Sequence, residues 1–287
     1  MTVLLATCSD WPGGEPGAPA LDAALAARGV EARWVRWDDD DVDWPSADLV
    51  AVRSVWDYIH RPGELLAWAR RVETTTVLLN GADVFGWNVD KAYLTSLGDV
   101  PVVPTVALDG RAGLEEAVAA VGGPAVVKPR ISASGHGVVV ADGPDDPRLE
   151  EVGDVPVVVQ PFVESIRSEG EHSVFVLDGR ARGRIRKVPP PDDIRAHEFR
   201  GATVMAVPLD DDVAQLAERA VVAATAVVGR TIDYARLDLL SLEGAWCVGE
   251  LEAIEPGLYL DVLPATAEPF ADLVLDRLTT IRALGRR

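Results

Sequence analysis

Lysine occurs only three times in the 287 residues, at Lys91, Lys128 and Lys187, and all Lys and Arg together number 27 against 46 Asp and Glu, a formal net charge of −19. That surplus repels nucleic acid and anionic membrane surfaces, so neither is an expected partner. Cysteine is rarer still. Cys8 and Cys247 lie far apart, each beside or within an apolar strand-like run, which excludes a disulfide framework and fits a reducing cytoplasm. No apolar run approaches the ~20 residues that a membrane span needs. The stretch Met1–Ala6 lacks a basic leader and the length of a signal segment, so it reads as a strand. None of the four histidines (His60, His136, His172, His197) has metal-ligand spacing to another. What the chain does have is apolar bulk, 48% of its residues, enough for one large core or two to three smaller ones. An acidic protein that binds an anion must gather its few cations locally, which makes the position of each lysine informative.

Lys128 stands at the end of a short apolar run in Ala125–Val140, followed by Pro129, Arg130, a small Ser/Gly turn from Ser132 to Gly137, and a returning β-branched strand. Glycines Gly135 and Gly137 let backbone N–H groups approach anionic oxygens, Ser134 adds a hydroxyl, His136 joins the turn, and Lys128 supplies a point charge. The stretch reads as a Gly-rich hairpin over phosphates and not as the helix-opening Walker loop, because no Gly-Lys-Ser/Thr precedes a helix. An ordinary hairpin with a loose turn fits the same stretch.

In chain order, Val3–Ala6 reads as a buried strand, Ala18–Arg28 as a helix closed by Gly29, and Glu31–Trp37 and Asp48–Arg53 as strands around an acidic loop. Pro62 opens a helix over Gly63–Val72, and Thr76–Leu79 is a further short strand. Strands alternating with helices predict an open, mainly parallel sheet, with binding residues at the carboxyl ends of its strands. One such end carries Arg53, Trp56, Asp57 and Tyr58, read either as a capped turn with a packing Trp or as a substrate pocket with Arg53 facing a carboxylate and Asp57 an ammonium. Asn88 is expected to cap a helix through Leu97, which puts Lys91 in a first turn where a cation opposes the helix dipole. Strands over Pro101–Leu108 and Val155–Val163 and a helix over Gly113–Val121 complete a small α+β unit, with Gln160, Pro161 and Phe162 at its exit.

Glu171–Leu177 and Arg180–Val188 predict a hairpin whose Arg180, Arg182, Arg184 and Arg186 share one face, a stripe expected to meet an anion in so acidic a chain. A polar, Pro-rich segment from Pro189 to Ala202, carrying Arg195 and His197, has the length and position of a lid. Asp212–Gly229 and Pro269–Leu284 read as long helices. Between them, strands Ile232–Leu242 and Ala245–Ala253 flank Glu243-Gly244. A three-residue loop sets Asp238 opposite Glu250, with Arg236 and Glu252 on the same faces; a two-residue loop separates the carboxylates. Opposed carboxylates repel unless a divalent cation lies between them, and hard oxygen ligands suit Mg²⁺.

Lys91, the Lys128 hairpin, Gln160, Glu171, the basic strand, Arg236-Leu-Asp238 and Glu250-Leu-Glu252 occur in an order that resembles the ATP-grasp superfamily over essentially the whole chain. The resemblance implies an ATP-grasp fold of α/β and α+β type: an N-terminal Rossmann-like open-sheet domain (1–88), a central ATP-grasp subdomain (89–163) and a C-terminal one with the metal site (164–287). It implies ATP and Mg²⁺ as cofactors, with Lys91 and Lys128 on the phosphates, Ser134, Gly135, His136 and Gly137 above them, and Gln160, Pro161, Phe162 and Val163 around adenine. By the same resemblance Glu171 lies at or near the ribose, Asp238, Glu250 and Glu252 hold the metal, and Arg195 and Arg236 stabilise the transferred phosphoryl group. Many relatives carry Asn where this chain has Glu252, and the spacer to Pro256-Gly257 is one residue longer, so either Glu252 or Glu255 completes the metal shell. The Arg53–Tyr58 stretch and Trp87-Asn88 look like the small glutathione-synthetase-like ligases, including the cyclo-ligase of cycloserine biosynthesis. The series Lys187, Arg195 and Gly201 is also similar to ligases that add glutamate to a ribosomal protein. The implied activity is amide-bond formation on a small amino-acid-like substrate through an acylphosphate, intermolecular or cyclising; a nucleotide-binding protein without this chemistry is the alternative. Dimers are common in such families, so a homodimer is expected, although no interface is legible.

Overall fold

The computed structural model describes residues 1–283 and 285. Its N-terminal sheet holds β1 (Thr2–Thr7), β2 (Glu31–Arg36), β3 (Leu49–Ser54) and β4 (Val77–Leu78) in the order β2-β1-β3-β4, all pairs parallel. Parallel neighbours need crossovers, supplied by α1 (Ala18–Ala27) and α2 (Pro62–Glu73), while α3 (Gly81–Asn88) leads away from the sheet. β3 is buried along its full length, which is why its sequence is continuously apolar up to Arg53.

A second, antiparallel sheet contains β5 (Val106–Leu108), β6 (Ala125–Pro129), β7 (Val139–Ala141) and β8 (Val157–Pro161) in the order β5-β8-β6-β7, backed by α4 (Leu114–Val121). The short helix α5 (Ser165–Ser168) then leads into the largest sheet. Its members are β9 (Glu171–Leu177), β10 (Arg180–Val188), β11 (Thr203–Val207), β12 (Tyr234–Leu242) and β13 (Ala245–Glu252), antiparallel in the order β11-β10-β9-β12-β13. The helix α6 (Asp211–Val228) covers one face of this sheet. It buries Val213, Leu216, Ala217, Ala220, Val221 and Ala224, the three- and four-residue spacing of a single helix face. The last helix, α7 (Ala267–Ala283), returns to pack on α1, so Phe270, Leu273 and Val274 share a core with Val3, Leu5 and Leu21. No helix among the described residues is long and apolar enough to cross a membrane.

Four local expectations change. Asn88 does not cap a helix: it ends α3, and Asp90 caps the 3₁₀ segment Lys91–Ser96 by accepting from Ala92 N at 2.9 Å. The Asn88 side chain instead donates to Leu251 O at 2.8 Å and accepts from Ala253 N at 2.7 Å, clamping the end of β13. Pro101–Val103 does not extend the central sheet; it runs along β13, exchanging hydrogen bonds between Pro101 O and Val248 N and between Val103 N and Val248 O. Tyr93, Leu94 and Leu97 likewise pack in the core beneath α6, so 89–103 is physically part of the C-terminal half.

The arginine stripe does not meet an anion site. A register shift between Ala181 and Gly183 breaks the alternation. Arg180 pairs with Glu218, Arg184 with Asp210 and His172, and Arg186 with backbone carbonyls of Ser168 and Glu169, so these guanidinium groups anchor α6 and the approach to β9. In the carboxylate hairpin the connection is the two-residue turn Glu243-Gly244, both at positive φ as a type I′ turn requires. That turn alone would misalign Asp238 and Glu250; a bulge at Gly249 restores the offset, and Asp238 pairs with Glu250 and Arg236 with Glu252.

Candidate active site

The register of four adjacent strands assembles one wall of the site. Lys187 on β10 stands opposite Glu171 on β9, Ser173 on β9 opposite Asp238 on β12, and Asp238 opposite Glu250 on β13, with Arg236 and Glu252 one step along. Hydrogen-bonded cross-strand neighbours are about 5.5 Å apart at Cα, so these six charged side chains and a serine form one continuous polar row. The facing wall comes from the second sheet: Lys128, Val126, Gln160 and the turn residues Ser132, Ala133, Ser134 and Gly135. Phe162, Val163 and Ile166 close the apolar end, and Ile194–His197 of the 189–202 segment line the remaining side. The segment expected as a lid thus borders the cavity through these four residues.

Each member of the row has a counter-charge. Glu250 is 2.8 Å from Lys91 Nζ, which also donates to Ser132 O at 2.5 Å. Arg236 reaches Asp238 Oδ2 at 2.9 Å and Glu252 Oε1 at 2.5 Å. Asp238 further accepts from Ser173 Oγ and lies 3.4 Å from Lys187 Nζ, which is also paired with Glu171. Lys128 is the exception: among the described residues no carboxylate or carbonyl pairs with its ammonium. Burial, and Lys91 beside it, push its pKa down. An unpaired cation in a cavity wall is a standing demand for an anion.

The carboxyls divide in the same way. Burial opposes ionisation of Asp238 and Glu250, but Arg236 and Lys187 around the first, and Lys91 and Lys128 around the second, hold both below the usual carboxylate range. Burial raises Glu252 to about 7 despite Arg236, and burial with the charge of Glu252 raises Glu255, which lies beside the Tyr58 hydroxyl, to about 8. Two carboxyls of the row are thus held ionised by their cations, while Glu252 and Glu255 are pushed towards the neutral form. Among the described residues no three acidic, histidine or cysteine side chains converge into a ready-made metal cage. The expected trio Asp238, Glu250 and Glu252 is therefore not gathered into a three-carboxylate cage here.

Of the residues singled out from sequence, Lys91, Lys128, Ser134, Gly135, Gln160, Pro161, Phe162, Val163, Glu171, Arg195, Arg236, Asp238, Glu250 and Glu252 line one cavity. His136 and Gly137 are exposed on the far side of the turn. Arg53 is fully buried and is not available to a substrate. Its Nε donates to Glu15 Oε1 at 3.0 Å and its Nη2 to Pro256 O at 3.0 Å, and its guanidinium lies over Phe270 and Tyr234. Asp57 is engaged by Trp37 Nε1 at 2.9 Å and Arg61 at 2.7 Å, and Tyr58 is buried against Glu255. The polar strand end of β3 is thus the capped, packed turn and not a free pocket. Residues that the sequence reading passed over are Ser173, whose only signal is its i+2 spacing from Glu171 on one strand face, and Asp193, which grips Arg195.

Residues 103–259 match the family described as RimK-like ATP-grasp domain, and residues 3–80 match the N-terminal domain of D-cycloserine synthetase DcsG. The chain is 30% identical over 282 residues to the cycloserine biosynthesis protein DcsG of Streptomyces lavendulae, covering 91% of this chain and 93% of that one. The crystal structure of DcsG superposes with a TM-score of 0.83 at 28% identity, covering 97% of this chain and all of the other. Two more distant structures show the fold alone. The D-alanine–D-alanine ligase of Bacillus anthracis complexed with ATP has a TM-score of 0.69 at 16% identity, with 99% of both chains covered. The ligase PsnB, complexed with minimal precursor, Mg and ADP, has a TM-score of 0.63 at 17% identity, covering 96% and 98%. With its row of paired charges, its Ser/Gly turn facing them and a match across more than half its length, the chain belongs to the RimK-like ATP-grasp family of ligases.

Proposed function

We propose that this enzyme uses ATP and Mg²⁺ to join a carboxylate to an amine on a small amino-acid-like substrate through an acylphosphate. The observation that carries the reading is the unpaired Lys128 facing the Asp238–Glu250 row across one cavity, an arrangement that neutralises a polyphosphate from two sides. Asp238 and Glu250, with Glu252 beside them on β13, would hold a divalent cation, which would supply charge neutralisation for the phosphates.

The chain's own residues do the rest. Lys91 and Lys128 hold phosphate oxygens, Gln160 to Val163 take the base, and Glu171 faces the ribose. A substrate carboxylate oxygen attacks the γ-phosphorus, the bond to the β-bridging oxygen breaks, and ADP leaves. Arg236 and Arg195 stabilise the charge that develops on the transferred group. An amine then attacks the acyl carbon, the C–N bond forms, phosphate departs with its oxygen, and the amine proton passes to solvent or phosphate. The lid excludes water, to which an acylphosphate would otherwise be lost.

The similarity to DcsG over more than nine-tenths of each chain favours the cyclising form, in which amine and acid derivative lie on one molecule. Cys8 and Cys247, buried as free thiols, fit the cytoplasmic setting. A homodimer belongs to the same proposal and is read by light scattering. The test is ADP and phosphate release with Mg·ATP against D- and L-amino acids, dipeptides and amino-acid derivatives, singly and in pairs, with mass spectrometry of products. Acid-dependent ADP release with an amide product supports the ligase, and one substrate sufficing supports cyclisation. Nucleotide binding with no acceptor-dependent ADP release across the panel would refute it in favour of binding alone.

A further inference from the structure

The lid carries a side chain that the proposed chemistry leaves without a task. Asp193 lies two residues before Arg195 and accepts four kinds of N–H from the segment it begins: the backbone of Ile194 at 2.7 Å, the backbone of Arg195 at 3.0 Å, Arg195 Nε at 2.8 Å and Arg195 Nη2 at 2.7 Å. This is a bidentate fork superimposed on an Asx turn. It occupies the Nε/Nη2 edge of the guanidinium and leaves the Nη1/Nη2 edge free. Arg195 lines the cavity.

The stem of Arg195 is fixed as well. Gly135, at φ 66°, lies against it so closely that a Cβ there would come within 2.7 Å of Arg195 Cδ. Five residues on, Arg200 Nη2 reaches the carbonyl of Ser134 at 3.4 Å. The lid therefore meets the phosphate turn at adjacent residues, and Asp193 determines which edge of Arg195 is presented there.

We propose that Asp193 is a positioning residue: by holding one edge of the Arg195 guanidinium it aims the other at an anionic phosphoryl group and seats the lid on Ser134-Gly135. It touches no nucleotide itself. Rotamer freedom in a long side chain is restricted before the ligand arrives, so the cost of ordering it is not taken from binding. The inference rests on the nucleotide reading of the cavity.

The experiment compares native enzyme, Asp193→Ala, Asp193→Glu, Arg195→Ala and the double variant Asp193→Ala/Arg195→Ala. Affinity for the probe MgAMP-PNP is measured by calorimetry, and tryptic cleavage after Arg195 and Arg200 is followed with and without the probe. Asp193→Ala should weaken MgAMP-PNP by about 10-fold, given the usual range for charge-assisted hydrogen bonds, and lose probe-dependent protection at both sites. Asp193→Glu should recover part of both, and adding Asp193→Ala to Arg195→Ala should change neither the affinity nor the protection at Arg200, the site that remains in those variants. Native-like affinity and protection in Asp193→Ala, or full additivity in the double variant, would overturn the positioning role. Failure of the native enzyme to bind MgAMP-PNP would instead overturn the reading of the cavity, and this inference with it.

Discussion

Replacing Arg53 by Met tests whether this residue holds substrate or holds the protein together. Its guanidinium is inaccessible and its partner carboxylate, Glu15, is 1% exposed at the side chain. The pair ties three parts of the chain: the loop after β1 through Glu15, the end of β3 through Arg53, and the 256–258 turn beyond β13 through Pro256 O and the Leu258 N–H, which donates to Glu15 Oε2 at 2.6 Å. Removing one partner of a buried ion pair leaves the other uncompensated and costs about 3–5 kcal/mol. The methionine retains apolar contact with Phe270 and Tyr234, so the loss is mainly electrostatic. At roughly 2 °C per kcal/mol for a chain of this size, the thermal midpoint should fall by roughly 6–10 °C. Circular dichroism during heating, or a urea titration, reads this directly. Glu15→Gln should lower it by a similar amount, and the double variant should lose less than the sum, with a coupling of about 1–3 kcal/mol. The folded fraction of Arg53→Met should keep substrate KM within about threefold of native, a threefold change being under 1 kcal/mol. Native stability with a tenfold rise in KM would refute the structural assignment and return Arg53 to the substrate.

Lys128→Ala should abolish nucleotide binding by calorimetry and leave the thermal midpoint unchanged or slightly higher, because it deletes a half-buried cation with which, among the described residues, no carboxylate or carbonyl pairs. Gly135→Ala should lower stability by about 1–2 kcal/mol from its left-handed backbone and, by pressing on Arg195, weaken MgAMP-PNP binding; normal binding would separate the lid from the turn. His172 accepts from Arg184 Nε at 2.8 Å, and burial, then Arg184, depress its pKa to about 4. The unfolded chain binds this proton more tightly, near pH 6.5, so His172 costs nothing above that pH. Stability should decline as pH falls from 6.5 through about 4, by on the order of 3 kcal/mol when complete. Urea midpoints across that range should show His172→Asn losing less than native; parallel declines would refute the assignment.

The sequence was legible wherever local rules decide. The period-2 and 3.6 patterns located most strands and helices, and the paired strands around Asp178-Gly179 match their expected ends. Chemistry concentrated on short stretches also survived folding. The three lysines, the Gln160–Val163 exit and the Arg236/Asp238 and Glu250/Glu252 pairs all reach one cavity, because alternation along a strand fixes which side chains share a face.

What the sequence could not decide was who pairs with whom across long separations. Arg53, Asp57 and Tyr58 look like a substrate cluster as a string. Only the tertiary structure brings Glu15, Trp37 and Glu255 against them. The arginine stripe likewise needed α6 and its Asp210 and Glu218 to be recognised as an anchor. The facing of Asp238 and Glu250 depended on a bulge, since a two-residue turn alone predicts the wrong offset. Residue types and local spacing thus determined the inventory of the site. Partner choice, burial and the free state of Lys128 were decided by the packing of distant segments, because the same charge is a ligand group or a structural tie according to what the fold sets beside it.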